Sequence, residues 1–96
     1  MTVVWYVKMR ANEGDEELVR DGLERLVPPT RAVPGCLVFE VHQESGDPAA
    51  FSIYEQWESY AAHDVHTQSD HFRDIAKAIV VDHSQSMESI ELELLD

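Results

Sequence analysis

Basic residues are scarce in this sequence. Its 96 residues include 7 Lys and Arg against 19 Asp and Glu, which gives a formal net charge of −12 at pH 7. Proteins that bind nucleic acid neutralise phosphates with clustered cations, and the same clusters attract anionic membranes. The basic residues here are scattered along the chain. We therefore expect neither a nucleic-acid partner nor a membrane partner.

Long apolar runs and cysteine pairs are also missing. No stretch of about 18 apolar residues is present, so the sequence predicts no membrane-spanning segment. The first residues lack the basic region of a signal peptide. The one cysteine, Cys36, has no partner for an internal disulfide, as is usual in a reducing compartment. A chain of this length fits one folded unit. We therefore expect a single cytoplasmic domain spanning residues 1–96.

Common cofactor motifs are absent as well. The sequence has no Gly-rich phosphate loop, no dinucleotide fingerprint, no Cys-x-x-Cys pair and no His-Glu-x-x-His zinc motif. His63 and His66 stand three residues apart and could share a metal with Asp64 or His71. One His pair without a further fixed ligand is a weak metal signal, however. The sequence thus predicts no cofactor and no metal.

The spacing of apolar residues predicts the element order β-α-β-β-α-β. Strand-like alternation occurs in four segments, residues 3–10, 36–42, 51–57 and 90–94. Helical spacing occupies residues 13–27, with Asn12 as the expected N-cap, and residues 59–79, where Ser59 and Ser69 can each cap a helix. Pro28-Pro29 should end or kink that helix. This order is typical of a ferredoxin-like α+β fold, an antiparallel four-stranded sheet with helices on one face.

The second face of such a sheet needs a cover, because the helices occupy only one side. Val4, Tyr6, Val38 and Tyr54 fall on that second face by alternation. A partly apolar face of this kind marks an interface. Packing two sheets face to face would also enlarge the small core of so short a chain. The sequence therefore predicts a homodimer.

Residues that could carry chemistry concentrate between Tyr54 and Phe72. Glu55 interrupts an apolar register, so it either reaches solvent or lines a polar spot in a pocket. Trp57, on the same register, is either a core residue or a flat pocket wall. His66 lies on the apolar side of its helix. It is either a structural histidine or a general base, because an imidazole with a pKa near ~6.5 can accept protons at neutral pH.

Three segments together carry a resemblance to a known family. They are the stretch from Pro34 to Val41, the Glu-x-Trp-x-Ser motif from Glu55 to Ser59, and the His-x-x-Ser-x-His-Phe motif from His66 to Phe72. This pattern resembles the antibiotic biosynthesis monooxygenase family, which includes quinol and anthrone monooxygenases and a haem-degrading branch. The resemblance implies a dimeric α+β barrel with a pocket between sheet and helices. Haem-degrading members carry an Asn on the first strand that this chain lacks, so no haem is expected.

The resemblance further implies a cofactor-free monooxygenase that acts on small quinols or anthrone-like aromatic substrates with O₂. An electron-rich anion can pass an electron to O₂ directly, so the protein need only bind, deprotonate and desolvate it. His66 would be the base, and Glu55 its orienting partner or a hydrogen-bond acceptor for the substrate. The expected substrate-binding residues are Trp57, Phe39, His71 and Phe72. The alternative is a non-catalytic small-molecule-binding or stress-response module on the same fold.

Overall fold

A computed structural model describes residues 2–96, which form a four-stranded antiparallel sheet and three helices. The elements are β1 (Val3–Ala11), α1 (Glu16–Arg31), β2 (Cys36–Gln43), β3 (Ala50–Trp57), α2 (Tyr60–Thr67), α3 (Phe72–Val81, a π-helix) and β4 (Ser84–Leu92). The strands lie side by side in the order β2-β3-β1-β4. This arrangement confirms the predicted ferredoxin-like α+β fold. No helix within residues 2–96 is long and apolar enough to cross a membrane.

Strand β3 separates a buried face from an open one. Its buried side chains alternate along the strand and are Phe51, Ile53, Glu55 and Trp57. Glu55 pairs with Trp5 of β1 on one side and with Phe39 of β2 on the other. A carboxylate therefore lies on the helix-covered face of the sheet, flanked by two aromatic residues.

The main core lies between this face and helices α1 and α3. Its buried members include Met9, Val19, Leu23, Leu26, Phe39, Phe51, Ala76 and Val80. The two helices approach closely at Gly22, where a Cβ atom would lie 2.7 Å from the Ile79 Cγ2 atom. Real Cβ contacts are essentially never that short, so the helix packing depends on the missing side chain.

Helix α1 begins later than the sequence predicts. The prediction of Asn12 as its N-cap is wrong, because the helix starts at Glu16 and Asp15 precedes it without a side-chain capping bond. The Asn12 N–H donates to the His83 carbonyl at 2.8 Å, which ties residue 12 to the start of β4. Gly14, with a φ of 92°, then turns the chain into the helix.

Helix α1 also runs through Pro28-Pro29 and ends at Arg31. Of the two predicted effects of the proline pair, ending the helix is therefore excluded. The carbonyls that lose their N–H donors belong to Glu24 and Arg25, and both residues are exposed, so water can replace the donors. The Arg31 guanidinium donates to the Phe39 carbonyl at 3.0 and 2.9 Å. This contact fastens the last helical turn to β2.

Strand β2 departs from regular alternation at its start. Alternation over residues 36–42 predicts Leu37 on the buried face with Phe39, and this is wrong, because Leu37 is 53% exposed. The pairing with β3 shifts between Cys36 and Val38. An extra residue at such a bulge loses its place in the alternation.

The opposite face of the sheet carries the residues predicted for it. Register pairs Tyr6 with Tyr54, and Gln56 with both Val4 and Val38. Strand β4 extends this face with Ile90 and Leu92, whose side chains are exposed. The chain therefore presents a broad, partly apolar sheet surface.

Candidate active site

A cavity of about 190 Å³ opens between the helix-covered face of the sheet and helices α2 and α3. Its lining is almost entirely apolar, and the polar side chains on it are few: Glu55, His63, His66 and Thr67. Apolar walls with a few converging polar groups are typical of small-molecule sites. Of the predicted substrate-binding residues, Phe39 and Phe72 line the cavity, whereas Trp57 and His71 contact His66 without lining it.

Glu55 is buried with a side chain close to two ring donors. Alternation along β3 turns it toward the helices, where it is 5% exposed. Its Oε1 atom accepts from the Trp57 indole N–H at 2.8 Å and lies 3.3 Å from the His63 Nε2 atom. A buried carboxylate costs several kcal/mol unless it is paired and hydrogen-bonded. The structure provides Glu55 with both a hydrogen bond and a ring that can carry positive charge.

His63 is the residue that the sequence reading missed as a possible acid–base group. Its ring stacks on Trp5, with centroids 5.8 Å apart and planes at 25°, and meets Trp57 edge-on at 5.7 Å. Its side chain is 20% exposed. The spacing of His63 and His66 was the available signal, because residues three apart share one helix face.

His66 lies deeper, at 2% exposure. Its ring stacks on Trp57 with centroids 5.0 Å apart and planes at 24°, and it meets Phe39 and Phe72 edge-on at 5.9 and 5.2 Å. Burial lowers the pKa of His66 to about 4; the Glu55 charge opposes this shift and the neighbouring histidines add to it. His66 is therefore neutral at pH 7.

His71 closes a small network beside His66. Its Nε2 atom lies 3.1 Å from His66 Nδ1 and 3.0 Å from Ser69 Oγ. Ser69 Oγ donates its proton to the His66 carbonyl at 2.6 Å and accepts from the Phe72 N–H. Because this hydroxyl proton is already used, Ser69 Oγ accepts from His71 Nε2, which therefore carries a proton. In the contact between the two rings, His71 Nε2 is therefore the donor and His66 Nδ1 is the acceptor. Burial also lowers the pKa of His71.

These contacts group the predicted site residues into two sets. Glu55 is joined to Trp57 and His63, whereas His66 is joined to His71 and Ser69. Within residues 2–96, the contacts of Glu55 do not include a hydrogen bond to His66, the partner that the sequence reading gave it.

His63 and His66 are the histidine pair with the spacing of a possible metal site. The His63 and His66 ring centroids lie 6.1 Å apart. No group of three His, Cys, Asp or Glu side chains in the described part of the chain is arranged to hold a metal ion.

Trp5 adds an unused donor to the site. It lines the cavity, and its indole nitrogen is the one buried side-chain polar atom in residues 2–96 that has no hydrogen-bond partner. A buried unpaired donor costs about 1–3 kcal/mol. An oxygen atom of a bound molecule that reached it would recover this energy.

Comparison with known proteins identifies the family. The model of the antibiotic biosynthesis monooxygenase family matches residues 2–78. The chain belongs to this family. The antibiotic biosynthesis monooxygenase match runs from β1 into α3, so it includes Glu55, His63, His66 and His71.

Solved structures share the whole fold. PA3566 from Pseudomonas aeruginosa is 28% identical, with a TM-score of 0.91 over 99% of this chain and 95% of that one. Rv0793 from Mycobacterium tuberculosis is 24% identical, with a TM-score of 0.88 over 100% and 97%. A protein described as an antibiotic biosynthesis monooxygenase is 24% identical, with a TM-score of 0.89 over both full chains. No curated protein matches this chain significantly.

Proposed function

We propose that this chain is a cofactor-free monooxygenase that oxidises a small quinol or related aromatic substrate with O₂. The observation that carries the proposal is the apolar, ring-walled cavity whose few polar groups include two histidines and a buried carboxylate. Family membership supports the reaction class. The substrate class rests on the chemistry of the cavity.

The chemistry needs little from the protein. Ground-state O₂ reacts slowly with closed-shell molecules, but a phenolate or enolate can donate an electron to it. A quinol and O₂ then give a hydroxyquinone and water, and an anthrone-type CH₂ group and O₂ give a ketone and water. The protein contributes a proton acceptor, a dry cavity and orientation of the ring.

The cavity dimensions favour a small substrate. An engineered apolar cavity of ~150 Å³ binds benzene in another protein, so about 190 Å³ suits one or two fused rings. Phe39 and Phe72 would hold such a ring, with His66 as a polar group on the same wall. Trp57 and His71 would support the His66 ring from outside the lining. A neutral substrate also avoids repulsion by a chain with a net charge of −12.

His66 as the base faces an energetic cost. Moving a proton from a phenol with a pKa of ~10 to a ring with a pKa of about 4 is uphill by ~8 kcal/mol. Its tight contacts with Trp57 and His71 also suit a structural role. This observation favours the second candidate function, a binding module without catalysis, unless another group accepts the proton.

The proposed assembly is a homodimer that buries the open sheet face. Tyr6, Val38 and Tyr54 lie on that face beside Val4, which is already buried within the chain, and Ile90 and Leu92 extend it. A second copy would cover this apolar surface and enlarge the core of a 10.9 kDa chain. The proposed location is the cytoplasm, which the single free cysteine fits.

An oxygen electrode tests the function. A panel of one-ring quinols, two-ring quinols and a three-ring anthrone is assayed in the presence of a metal chelator, with ¹⁸O₂ to trace the product oxygen. We expect enzyme-dependent O₂ uptake with the one- and two-ring quinols and one labelled oxygen atom in the product. The purified protein should show no flavin or haem absorbance. Binding of these quinols without O₂ uptake above autoxidation would establish the binding module instead.

A further inference from the structure

The two histidines on α2 have different chemical surroundings. His63 faces a buried carboxylate, whereas His66 faces another imidazole. We propose that His63, positioned by Glu55, is the catalytic base that takes the proton from the hydroxyl group of the bound substrate. This inference rests on the proposed function, because it names the proton acceptor of that reaction.

The Glu55 contact favours one tautomer of His63. The His63 Nε2 atom lies 3.3 Å from Glu55 Oε1, within ion-pair distance, and a nearby carboxylate, which can only accept, favours the proton on that nitrogen. In a neutral imidazole the other nitrogen is then an acceptor. The Trp57 indole N–H, 2.8 Å from the same oxygen, holds the carboxylate in place. His63 Nδ1 is left with an unshared electron pair.

The surroundings of His63 also suit the charge that it gains. On accepting a proton the ring becomes a cation, which the Glu55 carboxylate attracts. The ring lies stacked at 5.8 Å on Trp5, and an indole face attracts cations at such distances. Within residues 2–96, the other titratable ring near it is His66, neutral at pH 7, with ring centroids 6.1 Å apart. The 20% exposure of the side chain gives the proton a way out to solvent.

His66 lacks each of these features. Its Nδ1 atom already accepts from His71, and it has a second imidazole instead of a carboxylate as its partner. A cation at this position would be buried at 2% exposure beside two other imidazoles. His66 therefore serves as a wall of the cavity, stacked on Trp57.

The proposed step is a balanced proton transfer. The O–H bond of the substrate breaks, a new N–H bond forms at His63 Nδ1, and the electron pair stays on the substrate oxygen. The resulting anion is the species that reduces O₂. Glu55 acts as a positioning residue, because it holds the tautomer and balances the charge without touching the substrate.

An anaerobic binding experiment isolates this step from the oxygen chemistry. The probe is 4-nitrophenol, a one-ring phenol whose anion absorbs visible light. An acceptor that becomes a cation beside the bound phenol should raise its ionised-to-neutral ratio at least about tenfold over free probe. We expect this gain with the unmodified protein and with His66→Gln, and its loss in His63→Gln.

Turnover gives a second readout on the same variants. His63→Ala should lower kcat about 10²- to 10⁴-fold, with partial recovery when imidazole is added. Glu55→Gln should change the pH profile of kcat as well as its size, which a purely structural carboxylate would not do. His83→Gln, outside the cavity lining, is the matched control and should keep the parental rate. Retention of probe ionisation and rate in His63→Gln, or loss of probe ionisation in His66→Gln, would overturn the assignment.

A measurement on the unmodified protein protects the test against variants that do not fold. Long-range ¹⁵N–¹H spectra distinguish the two neutral tautomers of His63, and we expect the proton on Nε2. A proton on Nδ1 would overturn the proposal. Ionisation of the probe without O₂ uptake on any quinol would leave the base in place and refute the monooxygenase function. Uptake of O₂ with the probe bound as neutral phenol would support the monooxygenase function and refute His63 as the base.

Discussion

The buried His66 ring should make the protein sensitive to acid in a predictable way. Its pKa is lowered from 6.5 to about 4 by burial. Between these values the unfolded chain binds a proton that the folded chain excludes, so stability is fully present above about pH 6.5 and falls as the pH approaches 4. A difference of about 2.5 pKa units corresponds to about 3 kcal/mol of unfolding free energy.

The substitution His66→Gln removes this effect and keeps a polar side chain of similar length. Urea denaturation of both proteins, from about pH 7 down to about pH 4, gives the free energy of unfolding at each pH. The unmodified protein should lose about 3 kcal/mol more than the variant over this range. The 19 Asp and Glu residues titrate in both proteins, so their contribution largely cancels. Parallel curves for the two proteins would refute the burial argument.

Three further outcomes follow from the packing. Size-exclusion chromatography with light scattering should give twice the 10.9 kDa chain mass, and a monomer at high micromolar concentration would contradict the sheet-face dimer. Gly22→Ala should cost about 1–3 kcal/mol in urea denaturation, because its Cβ would overlap Ile79. Trp57→Phe should lower the free energy of unfolding by about 1.5–3 kcal/mol, because it removes the hydrogen bond to the buried Glu55 carboxylate. In a chain that already carries Glu55→Gln, the same substitution should cost less, because the partner is no longer charged.

The strand faces were predictable because alternation depends only on the strand itself. Along β3 it placed Glu55 and Trp57 on one face, and the structure buries both. The same reasoning assigned Tyr6 and Tyr54 to the open face, where they pair directly. Alternation failed at Leu37, because a bulge depends on how β2 pairs with its neighbour.

The helix boundaries were less predictable because long-range contacts fix them. Pro28-Pro29 removes two helical hydrogen bonds, but the last turn is held by Arg31, which donates to Phe39 of a different element. Asn12 is a good capping residue, yet it is bound to the start of β4 through His83. Propensity describes one segment at a time and omits such contacts.

The clustering of these side chains on one side of the sheet was predictable, and their pairing was not. Glu55 is the one charged residue among the buried positions of β3, so its carboxylate requires a hydrogen-bonding or charged partner. Helical spacing puts His63 and His66 on the same face of α2. Which ring meets the carboxylate depends on where α2 crosses the sheet. The crossing brings His63 to Glu55 and stacks His66 on Trp57. A shift of one helical turn would bring His66 to Glu55 instead, so tertiary packing decides which ring meets the carboxylate.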